Sequence, residues 1–237
     1  MSKHSNGLPK RCVITIDGPA GVGKSTAARL LAQRLGLVYL DTGATYRALA
    51  YAALQQGVVL DREPQLARLA RALPLRLSQT RNGALVVWLG SRNITRPIRT
   101  ERVTEAAAAI AQHPRVRAAL VQLQRRLANS TRLVAEGRDT GTVVFPRAPL
   151  KFFLTAKARI RAGRRRAEMQ SLEGRSPALP VILKQLKARD QLDRRRHVGP
   201  LVKPAGAVVL DTSSLDAEAV VERMLRHLPE ILVASIR

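Results

Sequence analysis

Short runs of β-branched and aliphatic residues recur along this chain, separated by stretches in which apolar residues return every three or four positions. CVITI (12–16), LVYL (37–40), RLVAE (132–136), KFFLT (151–155) and AVVLD (207–211) have the length and composition of buried strands. A helical pattern follows each. That alternation predicts an α/β fold with a five-stranded parallel sheet flanked by helices. The clearest helix is the last, where Ala217, Val220, Val221, Met224, Leu225 and Leu228 share one face between charged residues. Ser213 and Asp216 have the spacing of a capping box in front of it.

The alternation breaks twice. Roughly 90 residues separate the second and third core strands, too many for one crossover helix, and the spacing predicts an inserted unit. Within it, 74–99 reads as strand, turn, strand, turn, strand. Asn82-Gly83 is a hairpin signal, and Leu85, Val87 and Leu89 alternate to one face with Trp88 on the other. Residues 157–196 read as two basic helices broken near Gly174 and Pro177. The expected organisation is a core with a phosphate-binding loop over 1–61, an acceptor-binding insert over 62–114 and core again over 115–156. An arginine-rich lid with acceptor-closing helices follows over 157–196, and a core strand and helix over 197–237.

Composition narrows the class. Aromatic residues make up 3% of the chain against 46% apolar, so the core must be aliphatic. No apolar stretch approaches the length of a membrane span, and the polar start lacks the apolar centre of a secretion signal, so a soluble cytoplasmic protein is expected. Cys12 is the single cysteine; it can form no intrachain disulfide, and its place in a strand predicts a buried thiol. The net charge of +24 attracts polyanions, yet the basic residues are dispersed and few aromatics are available to stack bases. Small anionic substrates explain clustered arginines as well, and nucleic acid is not expected as a specific partner. With no heptad or isolated apolar stripe, a monomer is the expectation.

The chemistry starts at DGPAGVGKST. Gly18, Pro19, Ala20, Gly21, Val22, Gly23, Lys24, Ser25 and Thr26 fit the phosphate-loop pattern, with a strand before and a helical run after. Glycines let backbone N–H groups converge on an anion, and the helix N-terminus adds its dipole. Lys24 is placed to reach the terminal phosphates of a nucleoside triphosphate such as ATP, and Ser25 to take a position on Mg²⁺. An acceptor must then face the last phosphate. LDTGATYR (40–47) puts Asp41, Thr42, Tyr46 and Arg47 at the carboxyl end of the second strand, where open α/β sheets bind ligands. EGRDTG (136–141) puts Arg138 and Asp139 at the end of the third. In ARDQLDRRR, Arg189, Asp193 and Arg196 share a helical face, with Asp190 about 100° away. Arginines of a mobile flap, Arg165 among GRRR (163–166), suit neutralisation of a transferring phosphoryl group.

IDGPAGVGKST, YLDTGATYRA, IRTERV, HPRVR, EGRDTGTVVFPRAPLKFFLTA and LKARDQLDRRRHVGPLVKPAGAVVLDT occur in this order. In that combination the chain resembles the bacterial cytidylate kinase family from about Cys12 to Leu228. The resemblance implies a P-loop nucleoside-monophosphate-kinase fold with a small antiparallel three-stranded insert and a short helical lid. It implies ATP-dependent phosphorylation of CMP and dCMP. It also places Thr42, Tyr46 and Arg47 near the acceptor, and Arg117, Arg138, Asp139, Arg189, Asp193 and Arg196 around CMP and the transferring phosphate. Asp41 or Asp139 is then available to orient the acceptor or a magnesium-bound water. The chain departs from the family at Ala108, where relatives carry a serine that touches the base, at Arg147 in FPRAP, and at Lys157 and Arg159 at the start of the lid. The competing readings are a UMP or shikimate-type kinase and a basic nucleic-acid-binding P-loop ATPase.

Overall fold

The computed structural model describes residues 12–80, 83–128, 132–174 and 176–228. In chain order its strands are β1 (Val13–Asp17), β2 (Val38–Asp41), β3 (Leu75–Gln79), β4 (Leu85–Leu89), β5 (Arg92–Asn93), β6 (Leu133–Gly137), β7 (Leu150–Thr155) and β8 (Val208–Asp211). The helices are α1 (Lys24–Arg34), α2 (Thr42–Gln55), α3 (Glu63–Arg71), α4 (Glu101–Ile110), α5 (Pro114–Leu127), α6 (Ala158–Glu173), α7 (Leu179–Arg195) and α8 (Ala217–Leu225).

Five strands form the parallel sheet in the order β2-β6-β1-β7-β8, each within a residue of its expected position. With helices on the sheet, its strands are apolar on both faces; Ile14, Ile16, Val134, Phe152 and Leu154 are all fully buried. The surrounding core is built from leucine, valine, isoleucine and many alanines, as the shortage of aromatics requires. Cys12 is buried ahead of β1, and burial pushes its thiol pKa up.

The insert folds as the antiparallel sheet β3-β4-β5. Leu75, Leu85 and Val87 are buried in the same core cluster as the parallel sheet, so the insert continues the core. Asn82 of the expected Asn-Gly turn lies outside the described residues, while Gly83 has a left-handed φ of 74°. Trp88, on the outer face, donates to Ser78 Oγ at 3.2 Å and lies beneath the Arg76 guanidinium.

Two local expectations are corrected. No α-helix follows the third core strand: β6 leads into a single π-helical turn at Thr140–Val144 before the chain returns to β7. The buried Asp17 carboxylate at the end of β1 holds that turn, accepting from Thr140 N, Thr140 Oγ1 and Gly141 N at 2.7–2.8 Å. The short connection therefore stays at the strand ends and delivers Arg138 and Asp139 there. The capping box before α8 does not form either. Asp216 is itself the N-cap and accepts from Ala219 N at 2.8 Å, while Ser213 hydrogen-bonds Asp211 and Lys157 N.

The lid consists of α6 and α7, joined after Gly174, whose φ of 70° ends α6. Ala162, Met169, Ile182 and Leu186 pack between the two helices. Arg161 then fastens the pair to the phosphate loop, donating to Asp190 at 2.7 Å and to Ala20 O at 3.1 Å. No helix among the described residues is long and apolar enough to cross a membrane.

Candidate active site

The carboxyl ends of β1, β2 and β6 open into a cavity of about 560 Å³ roofed by α6 and α7. Its floor is the loop between β1 and α1. Gly18, with φ of 151°, runs so close to the Leu154 carbonyl that no side chain fits, and a Cβ on Gly21 would meet the Arg161 carbonyl at 2.9 Å. Helix α1 starts at Lys24 behind a left-handed Gly23. It has no side-chain cap and no acidic residue in its first turn. Its first N–H groups are thus free for an anion, and the dipole favours one.

Lys24 is 6% exposed and folds back to donate to Pro19 O at 2.7 Å. Burial pushes its pKa down to about 7, assisted by the charges of Arg138 and Arg189 and opposed by Glu136 and Asp17. A polyphosphate bound at this loop would supply the missing negative charge and favour the ammonium. Donor binding at pH 8 is therefore expected to take up a proton, up to about one per site, since the free amine is largely neutral there and the bound one cationic. Calorimetry in buffers of different ionisation enthalpy measures this; a binding heat independent of buffer at pH 8 contradicts it.

Seven arginines and Lys24 line the cavity against six carboxylates. Asp193 receives Arg138 Nε at 2.9 Å on one oxygen and Arg196 Nη2 at 2.8 Å on the other. Arg189 stands beside them. Burial, then the neighbouring charge of Arg138, pushes its pKa down to about 10, so it remains cationic at neutral pH. On the other wall Asp139 pairs with the fully buried Arg117, whose guanidinium lies 5.6 Å from the centre of the Tyr46 ring. Arg117 does not line the cavity; it stands behind Asp139 and Tyr46, which do. Arg47 Nε, Arg117 Nε and Nη1, Arg189 Nε and Arg196 Nε are buried without a protein partner. Buried donors are nearly always satisfied, and of these residues Arg47, Arg189 and Arg196 line the cavity, which makes their three Nε groups candidates for ligand oxygens.

Several expected ligands are already engaged. Asp41 lines the cavity while capping α2, accepting from Ala44 N at 2.9 Å, and its second oxygen holds Arg47 at 2.6 Å. Thr42 lines the cavity but donates its hydroxyl to Glu136 O at 2.7 Å. Ser25 donates to Glu136 Oε1 at 2.6 Å, and Tyr39 reaches the same oxygen at 3.1 Å. Glu136 went unnoticed in the sequence, although it directly precedes the Gly-Arg-Asp triplet. Burial and the Asp41 charge push its pKa up.

The lid arginines divide by contact. Arg164 is held by carbonyls, Arg165 faces the cavity with Glu168 at 2.9 Å, and Arg166 is exposed. Arg99 and Thr104, from the turn before α4 and from α4 itself, also line the cavity and were not expected. Ala107, Ala108 and Ala111 give the same wall an apolar surface.

The geometry is thus a glycine-rich loop and an uncapped helix start opening into one arginine-rich cavity with a mixed polar and apolar wall, an arrangement suited to phosphoryl transfer. The profile of the cytidylate kinase family matches residues 14–230. The chain is 45% identical to the cytidylate kinase of Neisseria meningitidis serogroup C over 94% of its own length and 100% of the relative's. It is 44% identical to that of Geobacillus sp. (strain WCH70) over 92% and 96%. Among solved structures it resembles an uncharacterized protein from Eubacterium ventriosum at 11% identity and a TM-score of 0.50, covering 92% of this chain and 98% of that one, a likeness of fold alone. With the phosphate loop, the paired arginine clusters and these full-length relatives in agreement, the chain belongs to the cytidylate kinase family.

Proposed function

We propose that the protein transfers the terminal phosphoryl group of ATP directly to CMP and dCMP, giving CDP and dCDP. The observation that carries this reading is the set of buried, unpartnered guanidinium N–H groups beside the phosphate loop. Arg189 and Arg196 stand on the lid side and Arg47 on the acceptor side, with Arg138 between them. Phosphoryl transfer needs little covalent assistance and much charge stabilisation, and cations held in a closed cavity supply it. The free N–H groups of α1 and Lys24 hold the donor's phosphates. Arg138, Arg189 and Arg196 surround the group in transit, with Arg165 above it. Arg47 takes the acceptor phosphate. Tyr46, Asp139 and the Ala107–Ala108–Ala111 wall face the acceptor's nucleoside, with carboxylate oxygens available to the cytosine amino group or sugar hydroxyls. The lid α6–α7 excludes water, and 62–114 forms the acceptor wall.

Magnesium fits the same place. Ser25 Oγ and Glu136 Oε1 are neighbouring oxygen ligands 2.6 Å apart at the phosphate loop, and burial and then the Asp41 charge raise the Glu136 pKa, a shift that a cation there would oppose. These two residues would hold the ion or its waters. Bound there with the triphosphate, the ion would supply charge neutralisation to the phosphates.

Turnover with CMP, dCMP, UMP, AMP and single-stranded RNA tests the reading. ATP consumption should follow the cytidine monophosphates and show no stimulation by RNA; RNA-stimulated hydrolysis supports a nucleic-acid ATPase instead. The same assay addresses Ala108, which lines the cavity without a hydroxyl. One neutral hydrogen bond is worth about 0.5–1.5 kcal/mol. CMP should be preferred to UMP, and Ala108→Ser should widen the ratio of kcat/KM values by roughly two- to tenfold. An unchanged ratio would mean that residue 108 does not reach the base.

A further inference from the structure

Arg161 and Asp190 are charged and buried, and neither lines the cavity. Burying an ion pair is costly, and apolar side chains of similar volume often hold two helices as well or better. The pair is not perfected as a stabiliser either. Arg161 Nε and Asp190 Oδ1 are both buried without a protein partner, and unmet buried polar atoms cost stability. What the pair supplies is direction. Arg161 Nη1 donates to Asp190 Oδ2 at 2.7 Å and to Ala20 O at 3.1 Å, so one nitrogen of α6 meets both α7 and the phosphate loop.

The neighbouring contacts join the same three elements. Ile182, Leu186, Asp190 and Asp193 form the buried face of α7, at spacings of four, four and three residues. The first two pack with Ala162 and Met169 of α6, and Ala20 of the phosphate loop packs against the same cluster. Toward its C-terminal end the stripe changes from aliphatic to carboxylate, and there Asp190 takes up Arg161, the residue before Ala162. On the loop side Gly21 has no Cβ, which lets the Arg161 carbonyl approach. Side chain and backbone of one residue thus both bear on the phosphate loop. Two cavity cations depend on this junction. Arg165 follows Arg161 by one turn on the same face of α6, and Arg189 directly precedes Asp190 on α7; both line the cavity. Stabilising a phosphoryl group in transit depends on where such charges stand, and a displacement of about 1 Å can cost on the order of 10² in rate.

We propose that Arg161 and Asp190 are a positioning pair for phosphoryl transfer: they lock α6 and α7 to the phosphate loop and thereby aim Arg165 and Arg189 at the phosphates. This rests on the reading that the protein transfers a phosphoryl group from a donor held by that loop. The pair acts on the rate of transfer and little on acceptor affinity.

The test measures kcat and KM with ATP and CMP on the full-length protein, at a temperature where unfolding curves show each variant folded. Asp190→Ala should lower kcat at least about tenfold and move KM for CMP less than about threefold, the pattern of interactions realised in the transition state. Asp190→Asn still offers Arg161 an acceptor of the same shape, and should keep kcat within about threefold of the parent's. The double variant Arg161→Met/Asp190→Leu removes the pair and keeps the volume. It should fold, with kcat as low as in Asp190→Ala. Parental kcat in folded Asp190→Ala or in the double variant overturns the proposal, leaving packing alone to set the lid. Equal losses for Asn and Ala overturn it in favour of charge compensation. A double variant that cannot fold overturns it in favour of a purely stabilising pair. Turnover by the unmodified protein with CMP, dCMP, UMP and AMP is measured first, so that failure of the functional reading registers separately; the variants are then compared on the acceptor it uses.

Discussion

Lys24→Ala is expected to lower kcat by a factor on the order of 10²–10³ while leaving the protein folded. The side chain is a desolvated cation at the mouth of an uncapped helix, and its only hydrogen-bond partner among the described residues is the Pro19 carbonyl. In that setting a positive charge is worth more to a phosphoryl group in transit than to a resting one, so kcat should fall more than KM for ATP rises. Stability should not suffer. Alanine is the best helix former, and the substitution removes a cation whose pKa burial has pushed down to about 7. Turnover measured alongside thermal unfolding separates the two effects. A variant with parental turnover would remove Lys24 from the mechanism, and one that fails to fold would mean that the lysine holds the loop together.

The sheet could be read from the sequence because its inner strands β1 and β6 are buried on both faces, and even the edge strand β8, where Val209 is exposed, keeps a mostly apolar run. Each appears as a short, mostly apolar run, and the ambiguity was a residue at either end. The turn after β6 was different. TGTVV has the residues of a strand or a helix start, and what makes it a π-helical turn is Asp17, 123 residues earlier, accepting from Thr140. The capping of α8 failed for a more local reason. A Ser-x-x-Asp spacing fits a capping box, but Asp211 draws Ser213 away at 2.6 Å and leaves Asp216 to cap alone.

The site divides the same way. The phosphate loop is contiguous and carries its geometry in its glycines, so it was legible from residue types. The arginine clusters come from α5, β6 and α7, and their assembly was implied only by resemblance. No local pattern shows which donors are spent. Thr42 meets Glu136 across 94 positions and Ser25 meets it across 111, so the engaged hydroxyls and the role of Glu136 could not be read from the sequence. Likewise the adjacent Arg164, Arg165 and Arg166 are alike in sequence, yet α6 turns them toward protein carbonyls, the cavity and solvent in succession.

Asp193 carries the largest expected cost to stability, with a loss of activity beside it. It is the one carboxylate holding both Arg138 and Arg196, and its side chain is 10% exposed. Burial alone would push its pKa up; the guanidiniums of Arg138, Arg196 and Arg189 overcome that and hold it below the usual carboxylate range. Asp193→Asn keeps the shape and removes the charge, leaving three neighbouring arginines with no carboxylate between them. Breaking a buried pair in this way typically costs about 3–5 kcal/mol, a large share of a domain's stability. The pH dependence follows from the sign of the shift. A depressed carboxylate contributes stability above its unfolded pKa of about 3.9 and loses it as pH falls through the lower folded value. The difference between parent and variant in denaturant unfolding should therefore be full at pH 7 and shrink below about pH 4. Sulfate, which can sit among the freed arginines, should stabilise the variant more than the parent. Since Arg138 and Arg196 also lose their orientation, kcat/KM should drop by a factor on the order of 10² or more, even where the variant is fully folded. A variant as stable as the parent at pH 7, with the same response to sulfate, would mean that the arginine cluster is held by something other than Asp193.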